Sequence, residues 1–110
     1  MSEAQFPGYI EYQQQDFDAA FPKVKIAAEQ GNAEAQCMVG TLYQLGLGAA
    51  ADSDKAMEWY ERASGQGYSV ATNNLAGMLA VRGEHEKASQ LYTLSRQQGF
   101  EHSPATRATR

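Results

Sequence analysis

An all-α fold built from repeated helical hairpins is what this sequence predicts, and three observations predict it. A Gln-Gly pair recurs as Gln30-Gly31, Gln66-Gly67 and Gln98-Gly99, with Gln66 following Gln30 by 36 residues and Gln98 following Gln66 by 32. Both intervals fall in the range of helical-hairpin repeats. Upstream of each pair, small, large and small residues stand at i, i+4 and i+7: Ala20, Val24 and Ala27, then Ala56, Tyr60 and Ala63, then Ala88, Tyr92 and Ser95. That spacing makes one stripe on a helix where a neighbour can approach closely. Downstream of the first two pairs, Ala35, Val39, Gly40 and Tyr43 match Ala71, Leu75, Ala76 and Leu79 at helical spacing.

These stripes predict five helices, at about residues 16–29, 33–46, 52–65, 69–82 and 84–98. The Gly of each Gln-Gly pair can take a positive φ just past a helix end, which caps the helix and lets the chain reverse. Asp52 or Ser53 is the expected N-cap of the third helix, and Gly83 marks the tight turn before the last. Pro22 lies inside the first, where its missing donor implies either a kink or a later start. Residues 1–15 read as a leader, whose Phe6, Tyr9 and Ile10 could dock on the first hairpin. Residues 16–99 read as the helical domain, and 100–110 as a small, polar, mobile tail.

A chain of 110 residues supports one modest core, and 43% hydrophobic with 20% charged residues is ordinary for a globular domain. A net charge of -4 argues against nucleic acid, whose non-specific capture needs clustered Lys and Arg. The start has no basic segment followed by an apolar run, and no stretch of about 18 apolar residues occurs, so no membrane insertion is expected. The single Cys37 cannot form an internal disulfide. Together these features predict a cytoplasmic protein.

The string "AEQGNAEAQCMVGTLYQLGLGAAADSDKAMEWYERASGQG", Ala28 to Gly67, resembles the Sel-one-like repeat, a branch of the tetratricopeptide-like helical repeats. It has that family's A-x-A-Q, G-x-x-Y, G-x-G, D-x-x-K-A-x-x-W and A-x-x-Q-G elements. The next unit, Tyr68 to Gly99, departs from the pattern at Thr72, Ala76 and Leu79 and has a loop four residues shorter. The resemblance implies a right-handed α-α superhelix, a solenoid whose first helices line a concave face that holds other proteins. On matched positions that face would present Glu34, Cys37, Met38, Thr41 and Gln44, then Val70, Asn73, Asn74, Gly77 and Val81. No Lys or Arg stands there, so a clamp for a C-terminal carboxylate is not expected. With about two and a half repeats, the protein is expected to be a monomer with polar ends or a homodimer through its helical ends.

Catalytic, metal and cofactor sites are not expected. His85 sits between Glu84 and Glu86, consecutive residues that point different ways on a helix, and has no second His or Cys at ligand spacing. His102 lies in the tail. Cys37 has no nearby His and shares a helix stripe with small and apolar residues, which suits a packing thiol. Met38, Trp59, Tyr60 and Tyr92 fit packing between helices. The Gly-Leu-Gly at 46–48 follows no strand, which removes a phosphate cradle.

The function expected is therefore a non-enzymatic adaptor or scaffold that binds a protein or peptide. The resemblance also implies an immunity protein against a secreted bacterial toxin as an alternative. A β-lactam-binding hydrolase is a third, disfavoured because such relatives use paired cysteines and a secretory signal.

Overall fold

The computed structural model describes residues 6–100. Among them are six helices and no strand: α1 Tyr9–Gln13, α2 Phe17–Glu29, α3 Ala33–Leu45, α4 Ser53–Gly65, α5 Ser69–Val81 and α6 His85–Gln97. The five helices expected from the stripes end within a residue of these limits. The tail, with His102, lies outside the described residues apart from Phe100, as do the first five residues of the leader. Two compact units divide within α4, one running through Trp59 and the other beginning at Tyr60.

The chain reversals share one geometry. Gly31, Gly67 and Gly99 have φ of 104°, 88° and 108°. At each, the glycine N–H bonds back to the carbonyl of Ala28, Ser64 or Arg96, and the following N–H to that of Ala27, Ala63 or Ser95. This is the Schellman pair, which satisfies carbonyls that a helix end otherwise leaves open. α5 ends the same way at Gly83, with Glu84 N–H on Leu79 O and Gly83 N–H on Ala80 O.

α1 was not among the expected helices, and its end repeats that of α5. Gln15 N–H bonds Tyr12 O and Asp16 N–H bonds Glu11 O, so Gln15 occupies the place of Gly83, with φ of 64°. α1 and α2 thus form a hairpin whose first helix is five residues against thirteen in α3. α1 packs on α2, and α2 on α3. Gly8 allows the first approach, because a Cβ there would meet the Val24 backbone nitrogen at 2.8 Å. α2 begins at Phe17 despite Pro22, so the proline does not delay the helix. Asp16, Asn32 and Asp52 cap α2, α3 and α4, accepting from Ala19, Ala35 and Lys55 N–H.

The first unit buries Ala20, Val24, Ala27, Ala28, Ala35, Val39 and Leu42. The α3–α4 loop closes on it. Gly46 and Gly48 have φ of 70° and 75°, and Asp52 N–H bonds Tyr43 O at 2.9 Å. A Cβ on Gly48 would collide with the Phe17 carbonyl at the start of α2. The Tyr43 ring stands edge-on to Phe21 at 5.3 Å, with Lys55 Nζ 5.5 Å above it.

In the second unit α5 packs on α6, and Tyr60, Ala63, Ala71, Thr72, Ala76, Ala88 and Ser95 are buried. One polar contact has been rebuilt between the repeats. In the first, Gln36 Nε2 donates to Ala28 O at 3.1 Å, in the buried end of the helix before it. The matching residue 36 positions on is Thr72, too short to copy that bond. Gln98, just past α6, supplies the amide: its Nε2 donates to Ser64 O at 3.4 Å, while Thr72 Oγ1 donates to Gln98 Oε1 at 2.6 Å and meets Ser64 Oγ.

Two outcomes are expected in urea unfolding. Gly31→Ala places a Cβ in open space and meets only the backbone cost of a positive φ, about 1–2 kcal/mol, whereas Gly48→Ala adds a backbone clash and costs more. Gln98→Ala costs about 1–2 kcal/mol by leaving buried groups unpaired, and Thr72→Gln recovers part of that loss only in the Gln98→Ala background. A coupling near zero in this double-mutant cycle would remove the compensating role of Gln98.

Candidate functional site

The expected binding residues fall in two rows, one on each complete first helix. On α3, Glu34 and Thr41 are half-buried and Gln44 is exposed, while Cys37 and Met38 are only 6% and 8% exposed. These last two belong to the interior and offer little surface to a partner. Their burial follows from α3 being the most enclosed helix of the first unit, with six consecutive buried residues from Ala35 to Gly40. Thr41 Oγ1 donates to Cys37 O at 3.2 Å, so its hydroxyl is partly engaged within its own helix.

α1 reaches this row. The Tyr12 phenol lies against Cys37 and Thr41, and burial pushes its pKa up from the usual tyrosine value. The electrostatic influence of the neighbouring Cys37 raises it further, and a hydrogen bond with Thr41 partly offsets the rise. Tyr12 also stands edge-on to Phe17 at 5.7 Å. Of the docking residues expected in the leader, Phe6 is buried and meets Tyr9 edge-on at 5.4 Å, while Ile10 is exposed. Tyr12, which the sequence did not single out, meets the α3 row at Cys37 and Thr41. Glu11 on the same helix holds Lys23 Nζ at 2.6 Å, and that bond draws the Glu11 carboxyl below its usual pKa.

On α5, Val70 is exposed and Asn73, Asn74 and Gly77 are half-buried. Val81 is 89% exposed, at the helix end. The Asn73 amide oxygen is sheltered from solvent and has no hydrogen-bond partner. Gly77 keeps this face shallow, with the Tyr92 hydroxyl 3.8 Å from where a Cβ would stand.

The second unit also holds a trough of about 640 Å³ that the sequence reading did not identify. Leu75 and Leu79 of α5 form part of its lining with Leu91 and Leu94 of α6, and Glu61, Lys87 and Gln90 add polar groups. A signal for it was present in the departure of Leu79 from the repeat's Tyr. Among the described residues there is no group of three or more His, Cys, Asp or Glu that could hold a metal, and no helix is long and apolar enough to cross a membrane.

Comparison with known proteins agrees with this geometry. Residues 33–68, spanning α3, α4 and the turn after them, match the model of the Sel1 repeat family. The Sel1 repeat protein of Oxalobacter formigenes superposes with a TM-score of 0.80 at 25% identity, over 87% of this chain and 42% of that one. A protective antigen of uropathogenic Escherichia coli strains that displays the Sel1-like repeat fold superposes with a TM-score of 0.82 at 30% identity, over 93% of this chain and 24% of that one. Chitin synthase regulatory factor 3 of Schizosaccharomyces pombe is 41% identical over 63 residues, 56% of this chain and 7% of its own length. This chain therefore spans less than half the length of each of these relatives. Residues 33–68 are thus similar to a Sel1 repeat, and the all-α architecture of the described residues is like that of Sel1-like repeat proteins.

The fold favours the protonated Tyr12, whose pKa is raised above its unfolded value. Its contribution is fully present below about pH 10 and is lost as pH climbs through the tyrosine range toward the folded value. Urea unfolding from pH 8 to 11 should show a steeper loss of stability for the native chain than for Tyr12→Phe, which has no proton to lose.

Proposed function

We propose that this protein is a non-enzymatic interaction module that binds a protein or peptide through the surfaces of its first helices, α3 and α5. The carrying observation is the chemistry of the two rows. Glu34, Thr41 and Gln44 on one, and Val70, Asn73, Asn74 and Gly77 on the other, combine amide and hydroxyl groups with a single charge. Amides serve both donors and acceptors, which suits recognition of another chain's backbone. The Asn73 oxygen has no internal partner, so turning that amide toward a ligand breaks no bond its oxygen makes. Repeat proteins of this kind generally act as scaffolds for other proteins, and the regulatory role in the yeast relative's name is consistent with that.

A second reading, favoured by the net charge of -4, is stoichiometric neutralisation of a basic partner such as a secreted toxin. A toxin-like reading frame beside the gene, whose purified product forms a one-to-one complex with this chain, would select it over a general adaptor.

The test is affinity capture with mass spectrometry, followed by calorimetry with the recovered partner. Gln44→Arg and Val70→Glu, both at exposed positions, should each weaken binding at least about tenfold, while Glu86→Arg on α6 should leave it within about twofold. A partner whose affinity ignores both row substitutions would overturn the assignment of the face.

A further inference from the structure

The two repeats differ at the positions that line the trough. Tyr43 and Leu79 stand 36 residues apart at one position of the repeat, and Lys55 and Lys87 stand 32 apart at another. In the first repeat the tyrosine ring is 7% exposed and lies beneath the Lys55 ammonium at 5.5 Å. In the second, a leucine replaces the ring and the trough opens beside it, with Lys87 on its lining. Trp59 and Leu91 are likewise 32 residues apart: the tryptophan is 7% exposed, and the leucine lines the trough. At the far end Gly65 replaces Glu29, and a Cβ on Gly65 would touch nothing within 4 Å. Two aromatic rings and one longer side chain of the first repeat are thus reduced at the positions that line this space.

We infer that the trough receives an aromatic side chain, of the tyrosine kind, from a partner protein. Leu91 and the exposed Leu94 offer an apolar wall to the flat body of the ring, above a floor to which the nearly buried Leu75 and Leu79 add only their edges. The Lys87 ammonium complements the negative face of the ring, as Lys55 does over Tyr43. Glu84 lies 3.3 Å from Lys87 Nζ and tethers it near the helix start. Glu61 and Gln90 supply acceptors suited to a phenolic hydroxyl. The volume of about 640 Å³ lies within the range of ligand pockets and admits the ring with neighbouring peptide atoms. The trough is distinct from the rows of the proposed first-helix surface, and the inference does not depend on that reading.

The experiment titrates the ¹⁵N-labelled full chain with p-cresol, the tyrosine side chain alone, and with its saturated analogue 4-methylcyclohexanol. Saturable shifts are expected at the amides of Ser64, Gly65, Leu75, Leu79 and Leu91, with p-cresol the tighter ligand by at least about twofold. Lys87→Gln should weaken p-cresol about two- to fivefold. Leu79→Tyr should abolish the shifts while retaining helical circular dichroism and cooperative unfolding, and Leu91→Trp fills the trough from another wall should the first variant not fold. Scattered or non-saturating shifts, equal binding of the saturated analogue, or undiminished binding in either folded filling variant would overturn the inference. None of these readouts uses a partner recovered through α3, so failure here and failure of the first-helix surface are separable.

Discussion

The architecture rests on a backbone constraint: each second helix must stop and reverse within two residues, without leaving its last carbonyls open. A residue at positive φ does this by pointing two successive N–H groups back at the helix. Gly31, Gly67 and Gly99 share that conformation, which an L side chain adopts only at a cost. The reversal sets the phase of the next helix, so the small residues at Ala20 and Ala27, Ala56 and Ala63, and Ala88 and Ser95 are buried in register. Bulkier residues there would hold neighbouring helices apart. The repeat length of a hairpin follows from where the next such residue is allowed.

The polar contact near the first helix of each hairpin shows how far the repeat can change and still be satisfied. Gln36 ties its helix to the preceding one through a single amide bond to Ala28. In the next repeat the same need is met by Thr72, Ser64 and Gln98 together, with Gln98 coming from 26 residues further along the chain. The carbonyl at this position is conserved in the geometry while its donor moves. A buried network of this kind is favourable only when complete, which links the end of α6 to the stability of the α4–α5 turn.

Most of the helical pattern was legible because its signals are local. Stripes at helical spacing and glycines at positive φ placed five helices to within a residue. α1 escaped for a related reason: its terminator is Gln15, which adopts φ of 64° without being glycine and so left no mark to measure from. With only five residues it had no stripe of its own. The expected binding rows were less legible. Spacing assigns residues to a helix face, yet it does not show that Cys37 and Met38 are buried or that Tyr12 comes to lie beside Thr41. Both depend on packing between segments far apart in sequence.

Divergence between two copies of a hairpin converts packing into recognition by subtraction. Where the first repeat has Tyr43 and Trp59, the second has Leu79 and Leu91, and both leucines line a trough whose wall includes the exposed Leu94. The lysine that accompanies the ring is retained as Lys87, although Leu79 gives it no aromatic face at that position. Replacing Leu79 by a larger ring would bury more apolar area and, on packing grounds alone, stabilise the unit. An open apolar trough beside a retained cation thus forgoes stability within the chain, and it leaves the corresponding contact to be made between chains.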